Sequence, residues 1–346
     1  MTSDIATPHF KLVGLAIERL LVVRDVSWPR DGMGWDSKIP NVVVMGGING
    51  SGKTTVLEAL FAVFRLFRDS FLPDFPVGSR LTADFEVLAS DVKGSFRVIA
   101  GDAAFCRGRE REGDIVLLEE HGRWNSPTGG SPLFLELMAR SHPKHFVASD
   151  LPGVVYFPTS RILSTPQTTL KAPGKLRAPD QFAFRCGPGD GFSRDWNDSL
   201  EAVLYAARWE DLNAKEEGRE AGFFAALADS IHAFFEGKKL VWENGELRVH
   251  VSSIRSSHYL DGLSSGEKQI VLIVAELLRR WRPGSLIMID EPELHMHPTW
   301  LAKLWRLLTR RQKERGGQVI VATQSTQLFG LADAGTTTLL GSKDFG

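Results

Sequence analysis

The stretch with the most evident chemistry is residues 47–54, which read Gly-Ile-Asn-Gly-Ser-Gly-Lys-Thr. This G-x-x-x-x-G-K-[ST] pattern is typical of a loop whose backbone N–H groups enclose phosphates. An apolar, β-branched run at residues 41–45 predicts a buried strand before it, and residues 54–64 have the pattern of a helix after it. A loop between a strand end and a helix start binds anions through N–H groups and the helix dipole. We therefore expect a nucleotide-phosphate site rather than a chance glycine-rich turn.

The side chains of this loop have separate expected roles. Lys53 should reach the β- and γ-phosphates, and the Thr54 hydroxyl should bind Mg²⁺. The glycines let the main chain approach the phosphates closely. The residues expected to contact the nucleotide here are Asn49, Gly50, Ser51, Gly52, Lys53, Thr54 and Thr55.

A pair of carboxylates follows a second apolar run. Residues 286–289 predict a buried strand that ends at Asp290 and Glu291. Asp290 can hold Mg²⁺ through water, and Glu291 can orient or deprotonate the water that attacks the phosphate. An acidic turn after a strand is common, but beside a complete phosphate loop the catalytic interpretation is favoured. Glu291 is therefore a predicted catalytic residue beside Lys53, and Asp290 is a predicted metal ligand.

Small residues open a predicted helix between these two motifs. Residues 263–267 read Leu-Ser-Ser-Gly-Glu, and Ser264 with Glu267 has the pattern of a capping box. A helix start with small residues is also an anion site, so Ser264 and the Gly266 N–H could face a γ-phosphate. The two interpretations are compatible.

Together these motifs resemble the ABC-type ATPase superfamily. The phosphate loop, then Leu-Ser-x-Gly-Glu, then Asp-Glu-Pro about 25 residues later follow its order. Ser265, Glu267 and the run Asp-Glu-Pro-Glu-Leu-His-Met-His-Pro at residues 290–298 are similar to SMC-like and OLD-like (overcoming lysogenization defect) AAA-family ATPases rather than to membrane transporters. The resemblance covers residues 40–60 and 255–330.

This resemblance implies a composite site in a head-to-tail dimer. Each ATP, with Mg²⁺, would lie between the phosphate loop of one chain and Ser264, Ser265 and Gly266 of the other, and hydrolysis would release the dimer. The loop that follows the acidic pair would cross the dimer. His295 and His297 lie in that loop. An interface role is expected for them, with a metal site as the alternative.

One position departs from the family. After the strand predicted at residues 318–323 stands Gln324, where the family usually has a His that contacts the γ-phosphate. Gln can donate a hydrogen bond but carries no proton charge, which favours slow or switch-like hydrolysis with Gln324 in the catalytic set. The metal-contacting glutamine of the superfamily is assigned to Gln167, with Gln181 as the second candidate. Arg161 is expected to contact nucleotide or partner.

Other contacts stay open in the sequence. Trp28 or Trp35 could stack on adenine, or either could pack within its loop. The net charge is -1, so any nucleic-acid contact has to come from a local patch. The mixed-charge residues 107–113 could form one, although a solvated turn is the favoured interpretation.

Composition indicates an ordinary globular chain. Of 346 residues, 43% are hydrophobic and 24% are charged. Cys106 and Cys186 lie far apart, which suits a reducing cytosol better than a disulfide framework. No apolar run approaches the roughly 18 residues that span a bilayer, and the first residues lack the pattern of a secretory signal. We therefore expect a cytoplasmic protein without a membrane partner.

Towards its end the chain alternates helices with buried strands, which predicts a parallel sheet covered by helices. The expected fold class is α/β, an ABC-type P-loop NTPase with a discontinuous ATP-binding core at residues 1–65 and 255–346. Residues 66–254 are expected to form an insertion. It would hold an antiparallel β-subdomain at about 80–120 and a mixed helical and loop region at about 130–254.

Three local features are expected within this insertion. Helices are predicted at residues 196–214 and 221–235. Asn244 and Gly245 lie between two alternating runs, which predicts a two-residue hairpin. Prolines and glycines across residues 164–193 indicate an extended loop or a lid.

The favoured function is an ATP-hydrolysing motor or sensor in a nucleic-acid-related complex. The implied setting is bacterial anti-phage defence beside a separate nuclease or toxin effector, because no acidic cluster of a fused Toprim nuclease follows residue 300. A homodimer or higher oligomer is expected, without a long coiled-coil arm, since heptads are missing. The alternatives are the nucleotide-binding subunit of a membrane transporter and an ATP-dependent scaffold without turnover.

Overall fold

A fully parallel six-stranded sheet forms the centre of the computed structural model. The structure describes residues 9–28, 39–65, 77–88, 93–107, 115–120, 123–125, 132–146, 151–161, 182–186, 200–218, 222–332 and 337–339. The strands of the central sheet, in spatial order, are β15 (Thr337–Leu339), β3 (Val42–Gly46), β14 (Gln318–Thr323), β13 (Leu286–Asp290), β8 (Val154–Phe157) and β9 (Ala183–Arg185).

The middle strands of this sheet are continuous runs of apolar residues because both of their faces are covered. Successive side chains point to opposite faces. Met288 of β13 packs into the core on one side, and its neighbour Ile289 packs into the core on the other. Both side chains are completely buried.

Helices and a second sheet cover the two faces. On one face α1 (Lys53–Arg65) packs between the central sheet and the second sheet. On the other face the apolar core is built from α6 (Phe223–Phe234), α7 (Ser265–Arg280), α8 (Pro298–Arg315) and α9 (Thr326–Leu331). The α/β fold class with a parallel core, expected from the sequence, is confirmed.

The second sheet combines strands from the predicted core, within residues 1–65, with strands from the predicted insertion, within residues 66–254. Its strands, in spatial order, are β2 (Val23–Trp28), β1 (His9–Leu20), β4 (Arg80–Leu88), β5 (Lys93–Asp102), β6 (Ile115–Glu120) and β7 (Arg123–Asn125). Gln318 links the two sheets, because its side-chain amide donates to the carbonyls of Leu12 and Pro40 and accepts from the Leu12 N–H.

Two features of the predicted insertion need correction. The β-subdomain is not wholly antiparallel, since β6 runs parallel to β5. The short helix α2 (Ala103–Cys106) follows β5 directly, so the chain does not reverse in a tight turn there. Strands β8 and β9 belong to the central sheet although they lie within residues 66–254. The division into core and insertion is otherwise a prediction.

The remaining described elements lie around these sheets. They are the helices α3 (Pro132–Ser141), α4 (Pro143–Phe146) and α5 (Leu200–Glu216), and a third sheet of β10 (Lys238–Glu243), β11 (Glu246–Val251) and β12 (Ser256–His258). The β10–β11 hairpin is confirmed, with Asn244 at φ 52° and Gly245 at φ 82°, the left-handed pair that such a turn requires.

The predicted helices at 196–214 and 221–235 correspond to α5 and α6 within a few residues. Of the predicted loop or lid at residues 164–193, only residues 182–186 are described, and they contain β9. Among the residues that the structure describes, no helix is long and apolar enough to span a membrane.

Candidate nucleotide site

The carboxyl ends of four neighbouring parallel strands build one site. Strand β3 leads into the phosphate loop, β14 ends at Thr323, β13 ends at Asp290, and β8 is followed by Thr159. Ligands of open α/β sheets bind at this edge, because the loops that leave the strands are collected there. The sheet therefore brings together residues that are more than 200 positions apart.

The phosphate loop has the backbone that its glycines permit. Gly52 has a φ of 90°, and a β-carbon built on it would lie 2.4 Å from a methyl group of Val23, so both backbone and space require glycine. Lys53 is buried, and its ammonium group donates to the carbonyls of Gly47 at 2.8 Å and Ile48 at 3.0 Å. These bonds fold the lysine over the loop, which is the position from which an ammonium group can neutralise phosphate charge.

Two of the predicted metal ligands, Thr54 and Asp290, are in direct contact. The Thr54 hydroxyl donates to Asp290 Oδ2 at 2.7 Å, and the Thr159 hydroxyl donates to the same oxygen at 2.5 Å. The sequence predicted Thr54 and Asp290 but gave Thr159 no role. A usable signal was present, since Thr159 closely follows a buried strand.

These groups suit Mg²⁺, which prefers oxygen ligands. Asp290 is completely buried, and among the described residues its Oδ1 has no hydrogen-bond partner. Burial raises the pKa of Asp290, and the Thr159 and Thr54 hydroxyls and the charges of Arg161 and Lys53 oppose that rise. A carboxylate with one free buried oxygen and a neighbouring hydroxyl can hold the ion, which would neutralise charge on the phosphates.

The second carboxylate has a strained backbone. Glu291 has a φ of 43°, in the left-handed region that few non-glycine residues adopt, and its N–H donates to the Ala322 carbonyl at 2.8 Å. Its pKa is raised by burial first, and then by the neighbouring charges of Asp290 and Glu293. A raised pKa beside the phosphate loop suits a group that takes a proton from water.

Arg161 is buried against the backbone of Asp290 and Glu291 rather than exposed on the surface. It is 1% exposed, and its guanidinium donates to the backbone carbonyls of Pro158 at 2.9 Å, Asp290 at 2.6 Å and Glu291 at 2.9 Å. The expectation of a nucleotide or partner contact is therefore wrong for this side chain. Burial lowers the pKa of Arg161, and the carboxylates of Asp290 and Glu293 oppose that effect.

Glu293 connects the acidic loop to the next strand end. Its Oε1 accepts from the Thr323 hydroxyl at 2.7 Å and from the Gln324 N–H at 2.8 Å. Gln324 is exposed at the carboxyl end of β14, the strand between the phosphate-loop strand and the acidic strand. The γ-phosphate contact of Gln324 stays a prediction, and the sequence assigned no role to Glu293.

The start of α7 combines a cap with an exposed edge. The Ser264 side chain and Glu267 form a complete capping box, and Lys238 pairs with the Glu267 carboxylate at 2.6 Å. Ser264 and Ser265 are exposed, whereas Gly266 is buried. The predicted capping role is thus confirmed, and the two serines remain accessible at a helix N-terminus.

The loop after the acidic pair contacts this helix start and also begins α8. His297 is the N-cap of α8, and its Nδ1 accepts from the Thr299 N–H at 3.2 Å. Within the described part of the chain, no group of three or more His, Cys, Asp or Glu could hold a metal ion. His297 therefore has a structural role as the cap of α8, and the expected interface role of His295 and His297 stays a prediction.

One further predicted contact residue, Trp28, is buried, and several others lie outside the described residues. Trp28 is buried in the apolar core, which favours packing over stacking on adenine. Gln167, Gln181 and Trp35 lie outside the described residues. Most of the mixed-charge loop at residues 107–113 does so as well, and these assignments stay predictions.

Comparisons with known proteins fit this site. Residues 181–330 match a family described as "AAA domain, putative AbiEii toxin, Type IV TA system". This region includes the start of α7 and the acidic strand end, and the phosphate loop lies upstream of it.

Two curated proteins and a solved structure are also similar. "Protein ea59" of Escherichia phage lambda is 36% identical over 19% of this chain and 13% of that protein, and "Retron Ec83 probable ATPase" of Escherichia coli is 29% identical over 33% of this chain and 23% of that protein. The chain thus matches about a quarter or less of the length of these curated relatives.

The solved structure is an Smc head domain with an extended coiled coil, bound to the C-terminal domain of ScpA from Pyrococcus furiosus. It aligns over 94% of this chain and 92% of that chain, at 12% identity and a TM-score of 0.47. The phosphate loop and the acidic strand end, joined in one site, agree with the family match. Residues 181–330, which hold the acidic strand end and the start of α7, are accordingly similar to the AAA domain of that family.

Proposed function

We propose that this chain hydrolyses ATP in a head-to-tail dimer, with the phosphate loop of one copy facing the α7 start of the other. The observation that carries the proposal is the bond between Thr54 and Asp290, which joins the phosphate loop to the acidic strand end. The exposure of Ser264 and Ser265 supports the head-to-tail dimer, because a second molecule can reach these two residues.

The described residues divide the work of hydrolysis. Lys53 and the loop N–H groups bind the phosphates, and Asp290 with Thr54 would hold Mg²⁺. Glu291 accepts a proton from the attacking water, and Gln324 donates a hydrogen bond to the transferred phosphate. Because Gln324 stays uncharged, turnover is slow and the ATP-bound dimer is long-lived.

We place this activity in a defence-type complex. The family description names a toxin of a toxin–antitoxin system, and one relative is named as a retron ATPase. We infer that this chain is the ATP-dependent motor or sensor, OLD-like in type, that acts on nucleic acid beside a separate nuclease or toxin. The net charge of -1 means that nucleic acid would bind through a local patch or through the partner.

The proposal is tested by hydrolysis measured with Mg²⁺ on the purified chain. Lys53→Ala should abolish ATP binding, and Glu291→Gln should keep binding and lower turnover by about 100-fold or more. Lys313→Ala and Glu314→Gln, two exposed changes of the same chemistry on α8, are the controls. Binding without hydrolysis in the wild type would instead indicate a scaffold without turnover.

A further inference from the structure

The backbone conformation of Glu291 is held by backbone hydrogen bonds and by one buried side chain, that of Arg161. A non-glycine residue at a φ of 43° is strained and persists only where the surroundings fix it. Arg161 contributes to that fixation, since its Nη2 donates to the Glu291 carbonyl at 2.9 Å and its Nη1 to the Asp290 carbonyl at 2.6 Å. The backbone adds bonds from the Glu291 N–H to the Ala322 carbonyl at 2.8 Å and from the Leu294 N–H to the Glu291 carbonyl at 3.2 Å. The direction of the Glu291 carboxylate therefore depends on a residue that contacts neither carboxylate group directly.

Arg161 is connected in turn to the helix that begins with the exposed serines. Gln269 of α7 donates its side-chain amide to the Arg161 backbone carbonyl at 2.9 Å. Gln269 lies five positions after Ser264, within the first turns of that helix. A shift of the α7 start would therefore move Gln269, then Arg161, and then the peptide of Glu291.

We propose that Arg161 is a positioning residue for Glu291 and that the Gln269–Arg161 pair transmits engagement of the α7 start to the hydrolytic carboxylate. This inference rests on the proposed ATP hydrolysis in a dimer. It explains why a guanidinium that is 1% exposed donates to three carbonyls at the acidic strand end and its neighbouring loop. Arg161 aligns the group that acts on water and leaves the phosphate loop untouched.

The test compares turnover with ATP affinity in Arg161→Lys. A single ammonium group cannot keep the planar fork that reaches Asp290 and Glu291 together. The expected result is a kcat about 10- to 100-fold lower, because small misplacements of a catalytic group cost that much. KM for ATP should stay within about twofold, since the Arg161 guanidinium donates to the carbonyls of Pro158, Asp290 and Glu291, which lie outside the phosphate loop.

Gln269→Leu provides a second variant that keeps Arg161 and removes only the link to α7. It should lower kcat in the same direction while ATP-dependent association of the chains persists. Two matched controls exist outside the site: Arg282→Lys, whose guanidinium donates to the Phe146 carbonyl at 2.9 Å, and Gln312→Leu, whose amide donates to the Gly317 carbonyl at 3.2 Å. These controls should change the unfolding temperature at most.

Three outcomes overturn the inference while leaving ATP hydrolysis established. They are an unchanged kcat in both site variants, equal losses in ATP affinity and kcat that follow a fall in unfolding temperature, and the same loss of kcat in the controls. A wild-type chain that does not hydrolyse ATP overturns the proposed function itself, and that result is visible before any variant is compared.

Discussion

The α-carbon of Gly266 lies against the backbone carbonyl oxygen of His295, so that a β-carbon at position 266 would lie 2.1 Å from that oxygen. This contact joins the start of α7 to the loop that follows Asp290 and Glu291. Both segments are expected at the dimer interface, and one chain already holds them together. The glycine is required by the close approach of backbone and needs no unusual φ.

Gly266→Ala should therefore disturb the interface loop. The obstacle is a main-chain oxygen, which cannot move aside by changing a rotamer, so we expect a loss of about 1–3 kcal/mol in unfolding free energy. ATP-dependent association should weaken as well. Gly330→Ala is the matched control, because a β-carbon there meets nothing within 4 Å. Equal behaviour of the two variants in denaturant unfolding would show that the contact does not constrain the chain.

The two threonines on Asp290 should differ in their effect on Mg²⁺. Thr159→Val removes one hydrogen bond that orients the carboxylate, and the Mg²⁺ concentration for half-maximal hydrolysis should rise by about tenfold. Thr54→Val should cost more, since it removes an expected ligand as well. Thr309→Val, whose hydroxyl donates to the Trp305 carbonyl on α8, is the control. Identical Mg²⁺ dependence in all three variants would contradict the assignment.

The capping box of α7 should make stability depend on acid. Burial alone would raise the pKa of Glu267, but hydrogen bonds from Lys238 and Ser264 outweigh it and the pKa is lowered. A carboxyl whose folded pKa lies below its unfolded value stabilises the fold above the unfolded pKa, and this stability is lost as pH falls through the folded pKa.

Relative to wild type, Glu267→Gln should lose about 1 kcal/mol in unfolding free energy at pH 7. That difference should shrink below about pH 4. A gap that stays constant with pH would argue against an ionised cap.

The identity of residue 324 should set the rate of hydrolysis. Gln324→Ala should lower turnover because a hydrogen-bond donor is lost, and Gln324→His should raise it because an imidazole can also carry a proton. The measurement is the steady-state hydrolysis rate of the wild type, Gln324→Ala and Gln324→His. Fast wild-type turnover that Gln324→Ala leaves unchanged would remove Gln324 from the mechanism.

The parts of the fold that depend on local patterns could be predicted from the sequence. The phosphate loop, the strand at residues 286–290 and the hairpin at Asn244 each carry their signal within a few neighbouring residues. The direction of β6 could not be predicted in this way. It depends on a four-residue helix at Ala103–Cys106, which is too short to produce a periodic pattern.

The same limit explains what was missed in the site. Strand β8 is only four residues long, and its place beside β13 follows from tertiary pairing rather than from its own sequence. Once that place is known, Thr159 and Arg161 must lie at the active edge of the sheet. The expectation of a nucleotide or partner contact for Arg161 is wrong because a sequence cannot tell whether a cation near a strand end faces outward or bonds to backbone carbonyls.

The most direct test of the account is the mass of Glu291→Gln in solution with ATP and Mg²⁺, measured by light scattering. We predict an increase from the chain mass of 38.3 kDa to twice that value, only when ATP is present. Adding Ser264→Arg should prevent the increase, whereas Asp229→Arg on the exposed side of α6 should permit it. A mass that is independent of ATP, or a dimer that persists with Ser264→Arg, would contradict the composite site.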